Sequence, residues 1–334
     1  MFPIAACSYF LGSTFLSKDG MVTAYQVNEN RTARKRFTIG TFIVAIGLLA
    51  WGAFVTSINA GMAVPDWPTS FNSYDPFNPW PEWWNITPVF AEHGHRLLGA
   101  LVGFLTLTLA VWTWFKESRV WMKRLGLGAL LLVILQGVLG GLRVLFVSID
   151  LAVVHAMVAQ LFFALLASMI VFTSRAWLNE PSSSRDFMPF ADLKRISFLA
   201  PLFVYVQIFL GALLRHPGTG IEPFFVGLHL GWAFVATSIL VVFWSKLRAV
   251  PDYARAVKKL SSVMIAVLSV QVALGLFAYL VLLDESGLVK ASNVQVIANT
   301  SHMVIGALLF ASTVATSVLC RRYQHLESAL EPDL

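Results

Sequence analysis

The chain has 334 residues, is 57% hydrophobic and 13% charged, and has a mean hydropathy of +0.72. A soluble domain carries about 25% charged residues, so this balance excludes an ordinary soluble globule and implies a lipid bilayer as solvent. The formal net charge of +6 does not signal nucleic acid, because the basic residues sit in short clusters between apolar runs, where they set membrane topology.

Residues 1–36 read as a cytoplasmic N-terminal tail. Phe2 to Leu16 are apolar but too few to span, and they lack the basic start of a signal peptide; a ragged tail or a start at Met21 accounts for them. Eight apolar runs follow, at 37–61, 94–115, 125–147, 151–174, 196–214, 224–245, 260–283 and 297–319. Each is long enough to cross about 30 Å of hydrocarbon at a rise of about 1.5 Å per residue.

The connecting segments alternate in charge. Basic clusters precede the first run (Arg31, Arg34, Lys35, Arg36) and follow the second, fourth, sixth and eighth. The intervening loops hold Asp66, Asp75, Glu82, Asp150, Glu222, Asp284 and Glu285 with almost no lysine. The positive-inside rule then places both termini in the cytoplasm and requires an even number of spans. Cys7 and Cys320 fall on that basic side, where a structural disulfide is not expected, and neither CxxC nor CxxCH occurs.

The chain also repeats itself. Trp51-Gly52-Ala53-Phe54-Val55 in span one echoes Leu210-Gly211-Ala212-Leu213-Leu214 in span five. Gln136-Gly137-Val138-Leu139-Gly140 in span three echoes Gln271-Val272-Ala273-Leu274-Gly275 in span seven. His95 in span two matches His229 in span six, and His155 in span four matches His302 in span eight. The expected fold is an all-α integral membrane protein, its eight transmembrane helices forming two four-helix bundles related by a pseudo-twofold axis along the membrane normal. Residues 37–178 form the N-terminal bundle, 179–195 a cytoplasmic linker, 196–320 the C-terminal bundle, and 321–334 a cytoplasmic tail.

Four of the seven histidines, His95, His155, His229 and His302, lie near the start of even-numbered spans and therefore at one depth near the outer face. A lone intramembrane histidine is usually a packing residue. Four at one level, paired by the repeat, suit axial ligation of haem iron inside helical bundles, two imidazoles to each half. The string Glu92-His93-Gly94-His95-Arg96 puts Glu92 and His95 on one helical face, with Arg96 four residues from Glu92. It reads either as a simple ion pair at a helix start or as a carboxylate beside a haem, with Arg96 on a propionate. The matching Gly227-Leu228-His229-Leu230 keeps the histidine and loses both charges, so one half would do chemistry while the other carries electrons.

Arg143 and Arg215 lie near the outer face, where they would bind propionates or snorkel to the interface. His93 reads as a loop residue, His216 as solvated and Gln160 as a packing residue; the tail histidine His325 has no assigned role. The first outer loop, about 62–91, is rich in proline and tryptophan; it suits an interfacial belt, a lid or a docking surface.

With these strings in place, the sequence resembles the haem A synthase family. Gly61-Met62-Ala63-Val64-Pro65-Asp66-Trp67-Pro68 is similar to the family's Gly-Leu-Ala-x-Pro-Asp-Trp-Pro loop. Glu92 to Arg96 is similar to its Glu-x-x-His-Arg, and Gly211-Ala212-Leu213-Leu214-Arg215-His216-Pro217-Gly218 to its Gly-Ala-x-Val-Arg-His-Thr-Gly. The resemblance covers roughly residues 37–320. It implies an oxidoreductase that converts the C8 methyl of haem O to a formyl group, giving haem A for terminal oxidases. It implies that His95 and His155 hold the substrate haem O, that His229 and His302 hold haem b, and that Glu92 is catalytic, moving a proton or stabilising positive charge at the methyl carbon. Haem O synthase, terminal oxidase subunits and a second copy of the chain are the implied partners, in the cytoplasmic membrane.

Three features depart from the family pattern. The outer loops contain no cysteine, which excludes a thiol relay; the loop after span five is short; and no arginine follows His229. Two other readings compete: a di-haem b cytochrome in quinol-linked electron transfer, and a transporter built from parallel repeats.

Overall fold

A computed structural model describes residues 18–80, 82–178, 193–214, 223–250, 254–284 and 291–330. The described residues form ten helices: α1 (Lys18–Ser57), α2 (Glu82–Asn85), α3 (Thr87–Lys116), α4 (Val120–Leu145), α5 (Ile149–Phe172), α6 (Arg175–Leu178), α7 (Ile196–Leu214), α8 (Pro223–Arg248), α9 (Arg255–Asp284) and α10 (Asn293–Leu330). No strand occurs among them; Ser70 and Ser73 make one isolated bridge.

Eight of these helices are long and apolar enough to cross a membrane, and the chain is a multi-pass membrane protein. Apart from α7, which matches the predicted run 196–214, most helices outrun the apolar stretches at one or both ends, because a helix continues into the headgroup region where polar side chains are solvated. α3 begins at Thr87 rather than 94, and α1 runs back to Lys18. Glu92 and His93 are therefore inside a helix rather than at its start.

Helices α1, α3, α4 and α5 pack in a closed ring, α1 on α3, α3 on α4, α4 on α5 and α5 on α1. Helices α7, α8, α9 and α10 repeat that ring pair for pair. Between the rings, α5 meets α10, α1 meets α10 and α5 meets α7. Exchanging α1 with α7 and α5 with α10 maps this set of contacts onto itself, which is compatible with the pseudo-twofold arrangement.

Two local features set the register of the first ring. The turn from α4 to α5 has only Phe146, Val147 and Ser148, with Val147 at φ 50°, a conformation that costs a β-branched residue about 1–3 kcal/mol. Ser148 then caps α5, its hydroxyl accepting from the Leu151 amide at 3.2 Å. At the opposite end of the molecule, Arg34 of α1 donates to Glu117, just beyond α3, and Arg119 pairs with the same carboxylate at 2.9 Å. Arg119 also donates to the Phe172 carbonyl at 3.0 Å, tying in the end of α5. Burial alone would raise the Glu117 carboxyl, but hydrogen bonds from Arg119 and the charges of Arg119 and Arg34 hold it at about 2.

Candidate functional site

The four intramembrane histidines share one seat. A methyl group built on Gly52 of α1 would lie 2.9 Å from Cε1 of His95 on α3, and one on Gly140 of α4 would lie 3.3 Å from Cε1 of His155 on α5. In the second ring the distances are 3.0 Å from Gly211 of α7 to His229 on α8, and 2.9 Å from Gly275 of α9 to His302 on α10. Each imidazole thus rests edge-on against a glycine of the preceding helix, in a hollow that any other residue would fill.

Within the second ring the His229 and His302 rings are 6.3 Å apart between centroids, inclined at 72°. In the first ring, His155, Arg143 and Arg96 are all within electrostatic reach of His95. The Nδ1 atoms of His95 and His155 are buried with no hydrogen-bond partner, a state that costs about 1–3 kcal/mol and that a ligand at the ring would offset. Among the described residues no three of His, Cys, Asp and Glu converge as a metal cluster. Haem makes no such demand, because the porphyrin's own nitrogens complete the coordination. The histidines and their glycine hollows fit a haem.

Glutamines complete the seats, and sequence reading had not separated them from packing. The Gln136 amide donates to the His155 carbonyl at 3.0 Å, and that of Gln207 to the His229 carbonyl at 3.1 Å. The Gln271 amide lies 3.3 Å from Nε2 of His302. Each glutamine precedes its glycine by four residues, so both face the same histidine. The repeat Gln-x-x-x-Gly in spans three, five and seven was the available signal, and span one has Leu48 in register instead.

At His95 other contacts replace the glutamine. Trp51 Nε1 donates to the Ala91 carbonyl at 2.7 Å, and a methyl built on Gly94 would meet the Trp51 ring at 2.9 Å. Each of α1 and α3 therefore offers a glycine to a ring from the other. One turn away, Glu92 is 4% exposed. Its Oε2 accepts from the Val64 amide at 2.9 Å and its Oε1 from Arg96 at 3.0 Å.

Arg96 also donates to the carbonyls of Asp66 (2.7 Å), Thr69 (3.1 Å) and Val64 (3.0 Å). Both of its terminal nitrogens are occupied by the outer loop, which favours a loop clamp over the propionate contact expected from sequence. Arg143 donates to the Gly61 carbonyl at 2.7 Å, and Trp67 lies so close to Gly141 of α4 that a methyl there would fall 2.2 Å from the indole. Asp66 organises the loop from within: its carboxylate accepts from the Thr69 hydroxyl and from the amides of Phe71 and Asn72, both of which have left-handed backbones, φ 53° and 60°. Burial would raise the Asp66 carboxyl, but these hydrogen bonds hold it below the usual carboxylate range.

His93 differs from its expected place in a loop. It sits on α3, 2% exposed, with Nε2 on the Pro76 carbonyl at 2.7 Å and its ring edge-on to Trp83. It is an anchor for the loop. Arg215 and His216 lie outside the described residues.

A profile of the cytochrome oxidase assembly protein family matches residues 35–223. The chain belongs to that family. The match takes in Glu92, His95, Arg96, Arg143 and His155 and ends before His229, so it is narrower than the stretch the sequence motifs suggest. Relatives named heme A synthase are similar over about half of the chain. The protein of Symbiobacterium thermophilum is 32% identical over 182 residues, 52% of this chain and 57% of the relative. That of Alkalihalophilus pseudofirmus is 31% identical over 192 residues, 54% and 60%. That of Shouchella clausii is 27% identical over 187 residues, 54% and 59%. The chain thus spans under two thirds of the length of these relatives.

Proposed function

We propose that the chain is a haem A synthase-like oxidoreductase that converts the C8 methyl of haem O to a formyl group, making haem A for terminal oxidases. The observation that carries this reading is the fourfold histidine-on-glycine seat, two seats to each ring. His95 and His155 hold the substrate haem O; His229 and His302 hold haem b. Bound there, a bis-histidine haem b would supply one-electron redox chemistry.

The chain's own residues divide the remaining work. Glu92 keeps a buried negative charge on the face of α3 that carries His95 and serves as the acid–base or electrostatic group at the oxidised carbon. Arg96 fixes Glu92 and the loop together. Arg143 keeps part of its guanidinium fork free of partners among the described residues and is the better placed of the two for a propionate. The outer loop, seated on Gly141 through Trp67, covers the site and excludes water. We place the protein in the cytoplasmic membrane with both termini inside, on the charge alternation of its loops. Its haem substrate would be handed over by a haem O synthase and its product taken up by oxidase subunits.

The test is haem extracted from cells that make this chain together with a haem O synthase. Haem A should appear with the native chain and fall to background with His95→Ala or Glu92→Ala. Recovering only haem O while the native protein is folded and haem-loaded would overturn the proposal and leave a di-haem cytochrome.

A further inference from the structure

At the basic end of the second ring, α7 and α10 leave between them a cavity of about 170 Å³ lined by Ser197, Phe198, Pro201, Val314, Ser317 and Arg321. Residues 314, 317 and 321 share one face of α10, and 197, 198 and 201 one face of α7. The lining is mainly apolar, and three polar groups among these residues lack partners or are free to make more contacts.

Ser317 is 4% exposed, and its Oγ has no hydrogen-bond partner. Pro201 lies inside α7 and has no N–H to close the helical bond on the Ser197 carbonyl. Arg321 is exposed, with its guanidinium carbon 5.5 Å over the Phe198 ring; stacking holds the plane and leaves the fork of donors available. Lys194 and Arg195 are exposed at the same end, and Arg322 stands over Trp177 at 5.6 Å. Arg321 thus lines the apolar slot itself, and Lys194, Arg195 and Arg322 are near it in sequence at the same basic end of the ring.

We propose that this cavity binds an anionic glycerophospholipid of the adjacent leaflet. Its phosphate is held by Arg321 and the Ser317 hydroxyl, a headgroup or glycerol hydroxyl donates to the Ser197 carbonyl, and an acyl chain runs along Val314. The charge at the mouth selects an anionic over a zwitterionic lipid. The buried, orphaned Ser317 hydroxyl in the lining distinguishes a built site from a diffuse basic surface.

The 334-residue chain, purified in mild detergent and stripped of lipid, is titrated with phosphatidylglycerol or phosphatidylcholine, and bound lipid is counted by native mass spectrometry. The native chain should retain phosphatidylglycerol about tenfold better than phosphatidylcholine. Ser317→Ala with Arg321→Gln should abolish the preference. Val314→Phe, which blocks the slot but keeps every charge, should abolish it too, whereas Arg124→Gln, a change at a basic residue of the other ring, should not. Ser317→Ala alone removes one hydroxyl without altering the packing, and should weaken retention even if the larger changes impair folding. Equal retention of the two lipids by the native chain, or undiminished preference in Ser317→Ala and Val314→Phe, would overturn the proposal. None of these readouts depends on haem chemistry.

Discussion

Replacing the seat glycines with alanine separates folding from ligation. Carbon atoms in ordinary contact sit about 3.5–4.0 Å apart. The methyl of Gly52→Ala would lie 2.9 Å from His95 Cε1, so the imidazole must retreat by about 0.6 Å or more. An imidazole is the movable end of a side chain, so the fold should absorb this at no more than about 1–3 kcal/mol. Metal ligation tolerates only about 0.2 Å. Haem retention should therefore collapse while the helices persist. Gly275→Ala, also at 2.9 Å, and Gly211→Ala, at 3.0 Å, should act alike at His302 and His229; Gly140→Ala, at 3.3 Å from His155, should keep most of its haem. Gly128→Ala and Gly137→Ala meet nothing within 4 Å and should raise the melting temperature slightly, since alanine is the better helix former by about 1 kcal/mol. The assay is pyridine haemochrome per mole of protein, with far-ultraviolet circular dichroism on the same samples. Full haem content and an unshifted low-spin spectrum in Gly52→Ala would refute the seat as a ligand-positioning device.

Two further outcomes are expected. Glu117→Gln leaves Arg34 buried without its counter-charge and should destabilise the protein by about 3–5 kcal/mol. In the native chain the Glu117 contribution is complete above the ordinary glutamate range and is lost as pH falls towards about 2, so the difference in melting temperature between native and variant should shrink from pH 6 to pH 3. Gly141→Ala would put a methyl 2.2 Å from the Trp67 ring and should lift the outer loop off α4. Red-shifted tryptophan emission and faster proteolysis between residues 60 and 80, with helicity unchanged, would register it.

Hydropathy and loop charge were enough to place eight helices, because a bilayer imposes one length and one polarity on every span. The helix ends were less legible, since polar residues continue a helix into the headgroup zone without raising hydropathy. The four histidines stood out because they recur in register, and the glycines of Trp51-Gly52 and Leu210-Gly211 were visible only as an echo. Their purpose appears once α1 meets α3 and α7 meets α8. Gln207 was missed although its spacing to Gly211 equals that of Gln136 to Gly140. The loop clamp was not readable at all. Arg96 binds the carbonyls of Val64, Asp66 and Thr69, and main-chain acceptors about thirty residues away leave no side-chain signature. His93 was misplaced for the same reason, since its partner is the Pro76 carbonyl.

The comparison between the halves bears on what Glu92 is for. In register with His95 and His229, Val226 stands where Glu92 stands and Leu230 where Arg96 stands. The His229 ring nevertheless rests on Gly211 much as His95 rests on Gly52, 3.0 Å against 2.9 Å. An imidazole seat can therefore be built at this depth without a buried ion pair. Burying Glu92 and Arg96 costs desolvation that their mutual attraction repays only with good geometry and added hydrogen bonds. Val64, Asp66 and Thr69 supply those bonds, and the loop they belong to is itself organised around the pair. In the second ring the matching Val226 is only half-buried and Leu230 is exposed, so α8 carries no buried pair beside its histidine. The Glu92–Arg96 pair thus belongs to the first ring, where it joins α3 to the loop folded over it.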